Sequence, residues 1–238
     1  MTKAARIAEI KHALAARAKP ANVSLLQRFF KTGKGEYGEG DVFIGVKVPQ
    51  IRQVAREYKD VPLEIALTLL CSKIHEERLL ALLLMVGIFE KGDEPVRKSV
   101  HAAYLKHTRY INNWDLVDTS APHIVGAYLF TRGRTPLLKL ARSSSIWERR
   151  IAIIATQHFI RKNDFANTLK IALVLREDKH DLIHKAVGWM LREVGERDRS
   201  AEEKFLLTHY HRMPRTMLRY AIEKLPEKRR QQYLLGKA

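Results

Sequence analysis

Arg78, Trp114, Arg149, Lys185 and, more weakly, Leu218 recur at intervals of 33–36 residues, each followed three places on by a small or β-branched residue (Ala81, Val117, Ala152, Gly188, Ala221). Around these anchors apolar residues return at i, i+3, i+4 and i+7, the period of a helix with one buried face. A second, shorter helix fits between successive anchors, over 94–107, 136–142, 165–176 and 201–211. Two helices in each unit of about 35–45 residues is the pattern of a stacked α-solenoid, because one such unit cannot bury its apolar stripe alone. The tetratricopeptide consensus is missing, so the expected fold is all-α: a HEAT-like helical-repeat solenoid with a concave basic groove. Prolines 49, 62, 95, 136, 214 and 226 stand at or near expected helix starts, where a missing N–H costs nothing. The short apolar run 42–46 has no partner strand and reads as a helix entry or a buried connector. No linker is visible after residue 48, so 1–238 reads as a single domain, with 1–48 as an N-terminal helical cap and 49–238 as the repeats.

Charge narrows the partner. Lys and Arg number 43 against 26 Asp and Glu, a formal net charge of +17, with an isoelectric point near 10.1. Such a balance points to a polyanion, nucleic acid first. Hydrophobic residues make up 46% of the chain and run from end to end, which excludes a disordered basic tail. The longest apolar run, 79–89, falls short of the ~18 residues a membrane span needs, and Lys3, Arg6 and Lys11 interrupt any signal-peptide core. One cysteine, Cys71, allows no intrachain disulfide and fits a reducing cytoplasm.

Placed on the repeat phase at 100° per residue, Trp114, Asp118, Arg150, Lys185 and Trp189 share an arc of about 100° on three consecutive repeats. Arg192 and Arg78 fall on the same side. That arc sets one carboxylate between two indoles and surrounds it with cations. Cations suit phosphates, and indole faces suit sugars or bases. A carboxylate there repels phosphate, so a pure DNA binder gains nothing from Asp118. It becomes useful where positive charge develops, as in the oxocarbenium-like state of glycosidic cleavage. A second carboxylate acting as general acid is unnecessary when the departing base is already cationic, as N3- and N7-alkylpurines are.

The strings Asn113-Trp114-Asp115-Leu116-Val117-Asp118, Ile146-Trp147-Glu148-Arg149-Arg150 and Lys185-Ala186-Val187-Gly188-Trp189-Met190-Leu191-Arg192-Glu193, with the segment Phe43-Ile44-Gly45-Val46-Lys47-Val48-Pro49, resemble the bacterial alkylpurine DNA glycosylases of the AlkD type. The resemblance covers nearly the whole chain. It implies a HEAT-like enzyme that excises N3-methyladenine and N7-methylguanine from double-stranded DNA as a monofunctional glycosylase, leaving an abasic site. It implies no metal, no cofactor and no flipping of the lesion into a pocket. Carried over by residue, Asp118 is the catalytic carboxylate, Trp114 and Trp189 pack on the lesion's deoxyribose, and Arg150 clamps phosphate. Lys185, Arg192, Arg78 and Lys47 are the further phosphate-binding candidates. Lys47 stands where some relatives carry glutamine, and some branches of the superfamily lack the carboxylate.

Each motif also has a plainer reading. Tryptophans in helical repeats commonly pack in cores, and Trp147 is assigned there. A salt bridge to Arg149 or Arg150 is the plain reading of Asp118. Asp115 is expected to hold helices together. His180 and His184 have metal-pair spacing but no third ligand, so solvated or capping roles are expected. The segment His75-Glu76-Glu77-Arg78 fits a helix start with its acids at the positive end. The glycines of the loop 32–41 form no phosphate-cradling motif. Arg229 and Arg230 read as a solvated face. The alternative function is a non-catalytic HEAT-repeat binder of damaged, bent or branched DNA; a scaffold for an acidic protein is the third. A monomer acting on DNA in the cytoplasm, without an obligate protein partner, is expected.

Overall fold

A computed structural model describes residues 2–238. The fold is all-α and built of helical repeats, as expected. It groups into two compact units, the first ending at Ile124 and the second beginning at Val125.

The first unit contains α1 (Lys3–Ala15), α2 (Val23–Phe29), α3 (Val48–Glu57), α4 (Leu63–Leu70), α5 (His75–Lys91), α6 (Glu94–Lys106) and α7 (Trp114–Ala121). Helix α5 is its axis: eleven of its seventeen residues are buried, and α3, α4, α6 and α7 all pack against it. The N-terminal segment is helical only in part. Helix α1 packs on α3 and α4, while residues 30–47 are loop and turns. Within that loop Val42 makes a single parallel bridge to Ile74, and the His75 N–H donates to the Val42 carbonyl at 2.8 Å. The run 42–46 is therefore a connector, one of the two forms expected.

The second unit contains α8 (Ala127–Leu129), α9 (Thr135–Ala141), α10 (Ile146–Ala155), α11 (Gln157–Ile160), α12 (Ala166–Leu175), α13 (Asp181–Arg197), α14 (Arg199–His209), α15 (Arg215–Ala221) and α16 (Glu227–Leu234). Here α13 is central, packed by α10, α12, α14 and α15. All six prolines named above sit at N-caps or in first turns. Between α10 and α11 the helical run is interrupted at Thr156. That residue is fully buried, and its hydroxyl donates back to the Ile153 carbonyl at 2.6 Å, competing with the helical ladder.

The repeat is visible as a recurring device in the loops before α5, α10 and α13. Ser72 Oγ accepts from the Ile74 N–H at 3.0 Å, and Ser143 Oγ from the Ser145 N–H at 3.1 Å. Asp178 Oδ1 accepts in the same way from His180 at 2.9 Å. Six residues on, Arg78 donates to the carbonyls of Ser72 and Lys73, Arg149 to those of Ser143 and Ser144, and the His184 ring bonds to that of Asp178. The structural register thus pairs Arg149 with His184. The sequence register had paired it with Lys185, one residue late, because it aligned basic side chains and not the turn that precedes them.

Candidate active site

In the first unit the end of α2, the loop 43–47 and the starts of α3, α5 and α7 enclose a cleft of about 440 Å³. Trp114, Asp118 and Lys47, three residues singled out in the sequence, line it together. Asn113, completely buried, fixes where α7 begins: its Oδ1 accepts from the Trp114 N–H at 2.8 Å. Trp114 is therefore the first helical residue, and Asp118 follows one turn later on the same face. Both are half-buried. Lys47 caps α3 and is exposed.

The indole does not stand alone. It stacks on Phe30, with centroids 5.3 Å apart and planes at 25°, and meets the edge of Phe29 at 5.7 Å. Phe30 stacks in turn on Phe43 at 5.2 Å. Phe29 is 60% exposed, so the cleft's mouth is apolar. Sequence reasoning missed Phe29 and Phe30. Their signal was an aromatic pair ending a short amphipathic helix just before a glycine-rich loop.

Beneath the aromatics lies a buried charge network. His75 directs Nδ1 at Asp41 Oδ2 and Nε2 at Asp115 Oδ2, each at 2.8 Å. Burial pulls the imidazole's pKa down, but the two carboxylates outweigh burial and raise it to about 9. His75 is therefore an imidazolium at neutral pH and donates from both nitrogens. Burial works against the Asp41 carboxylate too, yet the His75 and Arg78 contacts hold its pKa below the ordinary value. Glu76, 2% exposed, receives the Ile44, Gly45 and Val46 N–H groups on Oε1 at 3.1, 2.8 and 3.2 Å. Glu77 pairs with Lys11 of α1 at 2.8 Å. Asp115 ties α7 to α5, the helix-holding part expected of it.

The His75-to-Arg78 segment opens α5 with Glu76 and Glu77 in its first turn, as expected, and all four side chains are buried. One expectation is corrected here. Arg78 is accordingly no phosphate contact: at 3% exposure its guanidinium pairs with Asp41 and donates to two loop carbonyls.

The second unit carries its own candidates. Lys185, Trp189 and Arg192 share one face of α13 by their i, i+4, i+7 spacing. Lys185 Nζ lies 2.7 Å from Asp181, the Trp189 Nε1–H donates to Glu193 at 3.0 Å, and Arg192 pairs with Glu223. Trp189 is half-buried, while Trp147 is 9% exposed and belongs to the core as expected. Arg150 is 5% exposed and donates to the Leu182 carbonyl at 2.6 Å, which anchors it to the first turn of α13. The His180 ring accepts from the Leu182 N–H and caps α13.

The family model described as DNA alkylation repair enzyme matches residues 10–225. Among solved structures, one described as a predicted DNA alkylation repair enzyme from Enterococcus faecalis superposes with a TM-score of 0.67 at 17% identity, covering 89% of this chain and 98% of the other. At that identity the likeness speaks for the fold alone. No curated protein matches the chain.

Proposed function

The chain belongs to the DNA alkylation repair enzyme family, and from that premise we propose that it is a monofunctional DNA glycosylase hydrolysing the N-glycosidic bond of cationic N3- and N7-alkylpurines in double-stranded DNA. The observation that carries the reading is Asp118 opening onto the first unit's cleft one turn from Trp114. As the C–N bond lengthens, positive charge moves from the base to the sugar ring. A carboxylate beside that ring stabilises the charge and orients the attacking water. The departing purine is already cationic and leaves neutral, so no proton donor is required. Trp114, braced by Phe30, offers a flat apolar wall to the deoxyribose, and Trp189 has the same part on the second unit. Lys47, Lys185 and Arg192 are proposed phosphate contacts. Arg150, 5% exposed and anchored on Leu182, is proposed to add positive charge beside the strand and, like Arg78, to make no direct phosphate contact. The net charge of +17 supports a DNA partner.

The test is release of N7-methylguanine from duplex DNA, scored by alkaline cleavage of the abasic sites. Asp118→Asn should slow excision by roughly 100- to 1,000-fold, the scale of losing one charge-stabilising group, with DNA affinity retained. If wild type and Asp118→Asn both release the base only at the spontaneous rate, the protein is a non-catalytic DNA binder. If DNA binding is absent at moderate salt, an acidic protein partner is favoured instead.

A further inference from the structure

We infer that His75 is the positioning residue of this cleft: bonded on both ring nitrogens, it fixes the first turn of α7, and with it Trp114 and Asp118, against α5 and the Asp41 loop. The inference rests on the glycosylase reading for its kinetic consequence and on geometry alone for its structural one. Two routes connect the ring to α7. The first is polar, through Asp115, which adjoins Trp114 in the chain and receives Nε2 at 2.8 Å. The other Asp115 oxygen is buried without a hydrogen-bond partner. The second route is aromatic: the imidazole stacks on Phe43 at 4.5 Å and lies 4.9 Å from Phe30, which carries the Trp114 indole.

Only the imidazolium can serve both carboxylates, because a neutral ring has one N–H and one lone pair. Loss of the proton turns a lone pair toward a buried carboxylate at hydrogen-bond distance, and that contact is repulsive. The ring is 2% exposed, so water does not screen the change. The charges facing it are Asp41 from the loop and Asp115 from α7. On α5 itself, Arg78 binds Asp41, Glu76 binds the loop amides and Glu77 binds Lys11 of α1. Helices α3 and α4 bury aliphatic side chains against this region, and α6 buries Val100, Tyr104 and a second imidazole, His101.

A core ion pair that served stability alone would leave the indole and the chemistry indifferent to its protonation. The full chain labelled with 5-fluorotryptophan separates the two cases, its Trp114 resonance assigned by loss in Trp114→Phe. In wild type that resonance should shift with a midpoint near pH 9 while far-ultraviolet circular dichroism stays constant. In His75→Gln the shift should vanish. Single-turnover excision of N7-methylguanine should fall along the same midpoint in wild type. In His75→Gln it should be lowered roughly 100-fold, the cost of a small misplacement of reacting groups, with affinity for undamaged DNA unchanged. Asp115→Asn keeps the side chain's shape but removes one charge, and should move the resonance's midpoint below that of wild type. A Trp114 signal that does not titrate in folded wild type overturns the inference. So does one that titrates equally in His75→Gln, or an unmoved midpoint in Asp115→Asn. Wild type that excises nothing while its Trp114 signal titrates refutes the glycosylase reading and supports the positional one.

Discussion

Glu76 should be the costliest single side chain to remove from the wall of the cleft. Gly45 has φ +87°, and an added Cβ there would lie 2.2 Å from the Lys19 carbonyl oxygen. That left-handed residue turns three successive N–H groups inward as an anion-binding nest, filled here by the protein's own carboxylate. Glu76→Ala removes the acceptor and leaves the amides of Gly45 and Val46 buried without one, at about 1–3 kcal/mol each. With the cavity and the partly buried Ile44 amide added, the loss should come to about 3–5 kcal/mol. Glu76→Gln separates charge from shape. All three amides converge on Oε1, and only Ile44 also reaches Oε2, at 3.2 Å. A glutamine carbonyl can occupy the Oε1 position, so this variant loses the charge assistance and should cost about 1–2 kcal/mol. Urea denaturation followed by circular dichroism, with the slope checked for constancy, measures both. A loss below about 1 kcal/mol for Glu76→Ala, or equal losses for the two variants, would refute the reasoning.

Two further predictions concern stability. An added Cβ on Gly188 would lie 2.4 Å from the Met217 carbonyl and 2.5 Å from Tyr220 Cβ, where α13 meets α15, whereas one on Gly87 meets nothing. Gly188→Ala should therefore lower stability by about 1–3 kcal/mol and Gly87→Ala raise it by about 0.5–1 kcal/mol, read from paired thermal melts; equal shifts would contradict the packing argument. Glu202, 1% exposed, has its pKa pushed up to about 8 by burial, against the pull of Arg199. The native state thus keeps a proton that the unfolded chain releases above its ordinary value of 4.5, so stability falls as pH rises between those values. Glu202→Gln should match wild type at pH 4 and exceed it by roughly 3 kcal/mol at pH 7; a difference independent of pH would refute this.

What could be seen in the sequence was what is local along the chain. Trp114 and Asp118 are one turn apart, so their shared face follows from helix geometry, and the prolines mark helix starts because a first-turn N–H has no partner. The buried network was invisible for the opposite reason. His75, Glu76, Glu77 and Arg78 read as an ordinary charged helix start, and their partners Asp41, the loop amides, Lys11 and Asp115 are brought to them only by folding. The Arg78 expectation failed on this point, since a repeat phase reports which face a residue takes and not what covers that face. The register slip at Lys185 is of the same kind. The better marker of the repeat is an oxygen-bearing residue that accepts from the amide two places on, with a basic side chain six places on.

The placement of buried charge carries the argument from fold to site. Asp41, His75, Glu76, Glu77, Arg78 and Asp115 are buried in the first unit, five of them on α5 and α7; His75, Glu76 and Asp115 line the cleft, and Asp41 and Arg78 join them through His75. In the second unit the buried ionisable side chains are Arg150 and Glu202, the latter holding its proton at neutral pH. Desolvating ionised groups is expensive, and a well-packed aliphatic cluster of similar volume is often as stable or more so. Stability alone therefore gives no reason to gather such groups under Trp114 and Asp118. Directionality does: charge-assisted hydrogen bonds fix an angle and a distance, where aliphatic contacts tolerate sliding. A site whose chemistry depends on where one carboxylate stands relative to a sugar ring needs that kind of constraint, and here it lies directly beneath the carboxylate's helix.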